Sequence, residues 1–195
     1  MNTRQEIDAQ LKESRRKVAK NLLFLGIIGM VMLFGGFTSA YMVRHEKGDW
    51  MQFGIPFIFY FSTAVILFSS LTMVGAQNAI KNGQLNRFKA GMLITLILSF
   101  VFIVLQFVGW KGLIAQHIFL TGPGSNASGQ FFYILTFMHL LHLLGGVIAL
   151  LVVNFKASRG QYSPQDYLGV QLCGIYWHFL TVLWIYLFLF LYFIR

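Results

Sequence analysis

The most constraining feature of this chain is a set of five long apolar windows that contain no Lys, Arg, Asp or Glu. They lie near residues 21–43, 53–76, 90–110, 131–155 and 168–194. A bilayer core about 30 Å thick requires roughly 20 apolar residues in a helix that crosses it. We therefore predict an all-α fold, an integral membrane bundle of five transmembrane helices. Because the connectors between the windows are of moderate length, we expect residues 21–195 to form one transmembrane domain.

Residues 1–20 form a polar, basic N-terminal segment. The segment lacks the short apolar core of a cleavable signal peptide, so we expect a retained helix that lies on the membrane surface. At the start of the fifth window, Ser163 and Pro164 followed by Asp166 are typical of a helix N-terminus. This pattern predicts that Ser163 caps the fifth helix.

The positions of the basic residues predict the orientation of the chain in the membrane. The sequence has 15 Lys and Arg against 6 Asp and Glu, a formal charge of +9, which by itself would also suit a nucleic-acid partner. However, 11 of these 15 cations fall within residues 1–20, 77–89 and 156–167, which share one side of a five-span topology. The remaining four are Arg44, Lys47, Lys111 and Arg195. By the positive-inside rule the N-terminus lies inside and the C-terminus outside, and no nucleic-acid partner is implied.

Three histidines lie inside the windows, where polar side chains are functional candidates. His139 and His142 are spaced i, i+3 on one face of the fourth window, and His178 lies in the fifth at a similar expected depth. Two histidines at one depth could ligate a haem or a metal, which would make this chain a membrane cytochrome b with His142 and His178 as ligands. The alternative is that they hydrogen-bond to each other, to Tyr176 or to backbone carbonyls.

The windows contain no carboxylate, which disfavours a metal site that needs a further ligand. The same absence disfavours a stand-alone transporter or channel, because proton relays and cation sites at membrane depth usually use Asp or Glu. The single cysteine, Cys173, excludes an intramolecular disulfide.

Packing residues in the windows indicate contacts with protein. Trp177 and Trp184 are seven residues apart on one face of the fifth window, and a buried indole N–H needs an acceptor. Small residues that allow close helix approach recur in several windows. They are Gly26, Gly29, Gly35, Gly36, Ser39, Ser69, Ser70, Gly145 and Gly146. We expect the chain to pack among its own helices and against another protein.

Several of these runs resemble subunit III of haem-copper terminal oxidases. Residues 176–184, which begin Tyr-Trp-His-Phe and end at Trp184, resemble the signature of that family's last helix. Residues 136–145, with His139, His142 and Gly145, resemble its preceding helix. Leu105-Gln106 and the run 34–41 resemble further elements, in the same order. The chain is similar to the short, five-helix bacterial form of this family.

The resemblance implies a subunit of cytochrome c oxidase, the complex that reduces oxygen and translocates protons in aerobic respiration. It implies no catalytic residue, redox cofactor or metal in this chain, with the haems and copper in partner subunits. The implied partners are oxidase subunits I and II, with subunit IV in some complexes, and phospholipid bound between helices. Cytochrome c or quinol would reach only the other subunits, so a quinol oxidase is the alternative complex. The implied location is the bacterial plasma (inner) membrane, as a multi-pass protein.

The resemblance also implies structural or lipid-contact roles for particular positions, carried over residue by residue. These positions are His139, His142, Gly145, Tyr176, Trp177, His178 and Trp184. Three other positions depart from the family pattern. Met30, Gly109 and Thr181 stand where the family commonly has carboxylates.

Overall fold

The computed structural model describes residues 2–47, 50–122 and 124–194, which form five helices. The helices are α1 (Asn2–His45), α2 (Ile58–Lys81), α3 (Leu85–Ala115), α4 (Ala127–Ser158) and α5 (Leu168–Phe193). Each is long and apolar enough to cross a membrane, and these ranges contain no strand. The predicted all-α fold with five membrane-spanning helices is therefore confirmed. Arg195, which entered the charge comparison, lies outside the described residues.

Four of the helices form a closed ring, and α1 lies outside it. In this ring α2 packs against α3, α3 against α4, α4 against α5, and α5 against α2. Of the other four helices, α1 contacts only α4 and α5 in the described ranges. In the most apolar 18-residue window of α1, 11% of the residues are buried, compared with 50% in the corresponding window of α5. The fifth helix is therefore central to the packing, whereas most of α1 faces outward.

The first helix docks on the ring at two separated places. Near its C-terminal end Phe34, Thr38 and Tyr41 are buried, which is the i, i+4, i+7 spacing of one helix face. Tyr186 of α5 donates a hydrogen bond to the Thr38 hydroxyl at 3.1 Å, and Tyr41 contacts the ring of Phe190 with centroids 5.0 Å apart. The second place is near the N-terminus of the chain, where Lys12 and Arg16 contact Asp166 in the connector between α4 and α5.

The N-terminal segment is the beginning of α1 and continues without a break into the first span. No Gly or Pro occurs between residues 2 and 25, so nothing in the sequence ends the helix before the first span. At 1.5 Å per residue, 44 residues extend about 66 Å, roughly twice the thickness of the bilayer core. The helix is therefore longer than a single crossing requires.

Two predicted helix starts are corrected. The second helix begins at Ile58 rather than near residue 53, because Pro56 disfavours helical backbone at the residue before it. The Pro56 carbonyl accepts the first turn's bond from the Phe59 N–H at 3.0 Å. Ser163 does not cap α5, because Ser163 and Asp166 close a turn on each other. The Asp166 N–H donates to the Ser163 carbonyl at 3.1 Å and also approaches its hydroxyl at 3.2 Å. The fifth helix begins after this turn, at Leu168.

An ion-pair cluster at this turn holds the N-terminal part of α1. The Lys12 ammonium lies 2.7 Å from one carboxylate oxygen of Asp166, and the Arg16 guanidinium lies 3.1 Å from the other. Arg16 also donates to the Gln165 carbonyl at 3.3 Å. The hydrogen bonds from Lys12 and Arg16 hold the pKa of Asp166 below its ordinary value of 3.8. A single carboxylate thus joins α1 to the connector between α4 and α5.

This cluster predicts a pH-dependent release of the N-terminal part of α1. Because the folded-state pKa of Asp166 is lowered, the cluster's stabilisation is complete above the ordinary aspartate value and is lost as pH falls through the lowered pKa. Spin labels at Gln10 and Gln161 should give a narrow distance distribution at neutral pH and a broad one well below pH 3.8. Asp166→Asn should broaden it already at neutral pH.

The matched control is Glu13→Gln, which breaks an exposed ion pair to Lys17 within α1 itself. This variant should keep the narrow distribution at neutral pH. Equal broadening in both variants would show that Asp166 does not hold the helix.

Candidate functional site

Trp177 and Trp184, which were predicted to share one face of the fifth helix, both point into the four-helix ring, toward α2. Trp177 and Trp184 are each 1% exposed. The Trp177 indole N–H donates to the Ser69 hydroxyl at 3.1 Å, and that of Trp184 donates to the Thr63 hydroxyl at 2.9 Å. The acceptors expected for buried indoles are therefore hydroxyls of the neighbouring helix.

His178 hydrogen-bonds to Ser70, the residue that follows Ser69 on α2. The Ser70 hydroxyl and Nδ1 of His178 are 2.7 Å apart. Adjacent serines of α2 thus bind the adjacent Trp177 and His178 of α5, which fixes the rotation of α5 against α2. Sequence analysis assigned Ser69 and Ser70 only as small packing residues and missed this role, because nothing in a single sequence distinguishes a packing serine from a hydrogen-bonding one.

His142 lies on the other side of α5, where α1, α4 and α5 meet. Its Nδ1 is 2.7 Å from the Met138 carbonyl of its own helix, and its ring meets that of Phe34 with centroids 5.5 Å apart. The Tyr176 hydroxyl donates to the His142 carbonyl at 3.0 Å. A Cβ atom at Gly145 would stand 3.6 Å from the same hydroxyl, an ordinary van der Waals distance.

His139 is fully buried among aromatic rings. Its ring centroid lies 5.1 Å from that of Trp184 and 6.2 Å from that of Phe102. Neither ring nitrogen has a hydrogen-bond partner within the described ranges, and Oε1 of the buried Gln106 likewise has none. His139 therefore fills the interior of the four-helix ring through contacts with aromatic side chains.

The geometry contradicts haem ligation by His142 and His178 together. Tyr176 faces His142, and His178 follows two residues later, a rotation of about 200° around the helix. His178 consequently lies on the α2 side of α5, while His142 lies on the α1 side. Our depth estimate placed the two histidines at a similar level but could not reveal that α5 stands between them. In the parts of the chain that the structure describes, no three His, Cys, Asp or Glu side chains cluster as metal ligands do.

The three positions that depart from the family pattern are accommodated without carboxylates. A Cβ at the buried Gly109 would lie 2.6 Å from the Phe59 ring, so Phe59 fills the space of a side chain. The Thr181 hydroxyl, 3% exposed, donates to the Trp177 carbonyl at 3.0 Å. The Met30 sulfur lies 4.0 Å from the Tyr176 hydroxyl. Packing and local hydrogen bonds thus occupy all three positions.

Comparisons with known proteins assign this arrangement to one family. The family model for cytochrome c oxidase subunit III matches residues 17–195. The chain is 30% identical to "Cytochrome c oxidase subunit 3" of Thermostichus vulcanus over 87% of its length and 84% of the relative's. It is 28% identical to "Probable cytochrome c oxidase subunit 3" of Nocardia farcinica, over 85% and 82% of the two chains.

A longer relative shows a different coverage. The chain is 32% identical to "Probable cytochrome c oxidase subunit 3" of Rickettsia prowazekii over 72% of its own length but 48% of that protein. The relatives of similar length are therefore covered almost throughout, whereas the longer one is covered over about half.

The close contact at Gly109 predicts that a single methyl group destabilises the bundle. Gly109→Ala places its Cβ against the Phe59 ring, which is itself buried against Phe132 and Trp184. Overpacking of this kind costs about 1–3 kcal/mol. Gly75→Ala on α2 is the matched control, because nothing lies within 4 Å of its Cβ position. Thermal unfolding in detergent should show a lower midpoint for Gly109→Ala alone, and equal midpoints would contradict the packing argument.

Proposed function

Because the chain belongs to the cytochrome c oxidase subunit III family, we propose that it is the cofactor-free, non-catalytic subunit of a proton-pumping haem-copper oxidase. In this proposal it packs on and stabilises subunit I, which with subunit II holds the haems and copper. Subunit IV is a further neighbour in complexes that contain one. Its own residues bind no haem or metal and take no part in the transfer of electrons.

The observation that carries this proposal is how the polar side chains of the site are used. Trp177, His178 and Trp184 bind hydroxyls of α2, and the ring of His142 contacts the carbonyl of its own helix. Hydrogen bonds between membrane helices contribute about 0.6 kcal/mol each on average. Such bonds hold helices in register, and they leave these groups committed to structure.

The outward surface of α1 supports a partner in the membrane. Cβ atoms at Gly26, Gly29, Gly35 and Gly36 would each meet nothing within 4 Å in this chain. Glycines allow close backbone approach of a second helix, and lipid chains alone do not require it. Large apolar side chains on the same helix, such as Leu25 and Met32, are 66% and 72% exposed. We assign this surface to contact with the catalytic subunit.

The proposal places the chain as a multi-pass protein in the bacterial plasma membrane, with its N-terminus inside. The 11 to 4 distribution of basic residues supports that orientation. Phospholipid would fill the space between α1 and the ring. A groove of about 440 Å³ lies there, with Leu23 on one side and Cys173 and Tyr176 on the other. We favour cytochrome c as the donor to the complex because the relatives are named cytochrome c oxidase subunits.

Isolation of the tagged chain in mild detergent tests this function. We expect it to co-purify with a haem- and copper-bearing polypeptide, while the separated chain shows no haem absorbance. A copper-binding subunit II among the co-purified chains would identify cytochrome c as donor. A Soret band in the separated chain, lost in His178→Ala, would support the cytochrome b alternative and contradict the proposal. So would isolation of a stable, functional chain without any such partner.

A further inference from the structure

A regular row of exposed side chains runs along the side of α1 that faces away from the ring. Its members recur at alternating intervals of four and three residues from Ile7 to Met32, with Ser14 and Asn21 at two of the positions. We name this row the α1 seam. Its apolar members, each more than half exposed, are Ile7, Leu11, Val18, Leu25, Ile28 and Met32.

The α1 seam lies opposite the face by which α1 docks on its own bundle. Leu25 precedes Phe34 by nine residues, a rotation of about 180° around the helix. Phe34, Thr38 and Tyr41 are buried against the ring. Alternating intervals of three and four residues are the spacing at which two helices pack side by side along their length. The first helix therefore has one face for its own bundle and a second, equally regular face that is exposed.

The N-terminal part of the seam lies where lipid chains do not reach. Residues 7–20 contain five cations, and charged side chains are costly in the hydrocarbon core. The large apolar residues among them are Ile7, Leu11 and Val18, and all three belong to the seam. Because water takes the place of acyl chains there, the hydrophobic effect favours covering these side chains with protein.

The ion pairs to Asp166 hold this part of α1 with the seam turned away from the bundle. Lys12 and Arg16 contact Asp166 in the connector between α4 and α5. Val18 follows Arg16 by two residues, a rotation of about 200° around the helix. The seam is thus presented on a helix that is already fixed in place, which lowers the entropic cost of binding a second helix.

The charges beside the seam indicate the chemistry of a partner. Arg15 lies one helical turn from Leu11 and forms no salt bridge within the described part of the chain, whereas Lys17 is paired with Glu13. Residues 7–20 carry five cations against two anions, a net charge of +3. A second copy of this chain would bring the same positive charge to the contact, whereas an acidic partner would complement it.

We propose that the α1 seam binds one membrane helix of a partner subunit, and that this helix continues past the hydrocarbon core beside residues 7–18 and places a carboxylate opposite Arg15. The inference rests on the proposed function, which assigns the membrane surface of α1 to the catalytic subunit. It deepens that function by extending the contact beyond the core and by stating the chemistry of the partner there.

Affinity for the haem-bearing polypeptide tests the apolar part of the seam. Leu11→Gln with Val18→Gln removes two apolar side chains and keeps a good helix former at both positions. The dissociation constant, measured by dilution of the purified complex in mild detergent, should rise on the order of tenfold. The matched control is Glu13→Gln with Lys20→Gln, which places two glutamines at other exposed positions without changing the net charge. It should change the constant less than about twofold.

A single charge tests the acidic partner. Arg15→Gln should raise the dissociation constant about two- to fivefold and reduce its dependence on salt concentration. Lys20→Gln removes one cation as well, but nine residues from Leu11 and therefore on the opposite side of the helix. This control should keep the affinity and the salt dependence of wild type.

A photo-crosslinker at Leu11 in the assembled complex identifies the occupant. It should capture a partner subunit, at a peptide that contains Asp or Glu, whereas a crosslinker at Lys20 should not. Capture of lipid would place residues 7–18 on the membrane surface, and capture of a second copy would make the seam a dimer contact. Either result would overturn the proposal.

Equal affinities of the Leu11 and Val18 double variant and its control, or an unchanged salt dependence in Arg15→Gln, would also overturn it. These outcomes are distinguishable from failure of the proposed function. In that case wild type itself would not co-purify with a haem-bearing polypeptide, and the partner of both would be lost.

Discussion

The structure depends on a constraint that the membrane imposes, namely that an unpartnered polar side chain is costly inside the bilayer, and every polar side chain of the site except that of His139 has a partner within the protein. In this chain the constraint is met chiefly between α2 and α5, where Thr63, Ser69 and Ser70 bind Trp184, Trp177 and His178. Three bonds along two antiparallel helices fix both their register and their rotation. Without them, apolar helices in lipid would have little to distinguish one rotation from another.

The rotation of α5 determines what lies on its opposite side. Because Trp177 and His178 face α2, Tyr176 faces α1 and α4 and donates to the His142 carbonyl. The same rotation separates His142 from His178 and so excludes the shared haem site that their expected depths allowed. Polar groups that could serve chemistry elsewhere are used here to join helices.

The fold was predictable because charge-free windows of this length have few alternatives to membrane helices. The protein-facing side of Trp177 and Trp184 also followed from their spacing. Other features required knowledge of neighbouring helices, which one sequence does not contain. The serines of α2 are indistinguishable from packing residues until α5 is placed beside them, and only the Phe59 ring explains why Gly109 carries no side chain. The continuity of the N-terminal segment with the first span follows from the absence of Gly and Pro between residues 2 and 25.

We propose that this chain sustains the chemistry of its partner subunits and performs none itself. The decisive experiment measures oxygen uptake by the oxidase after selective removal of this chain and again after its return. We expect an initial rate close to that of the complete complex, an unchanged haem spectrum, and a faster decline during turnover that the returned chain corrects. Immediate and complete loss of oxygen reduction while the other subunits keep their haems and copper would contradict it, as would departure of a haem together with this chain.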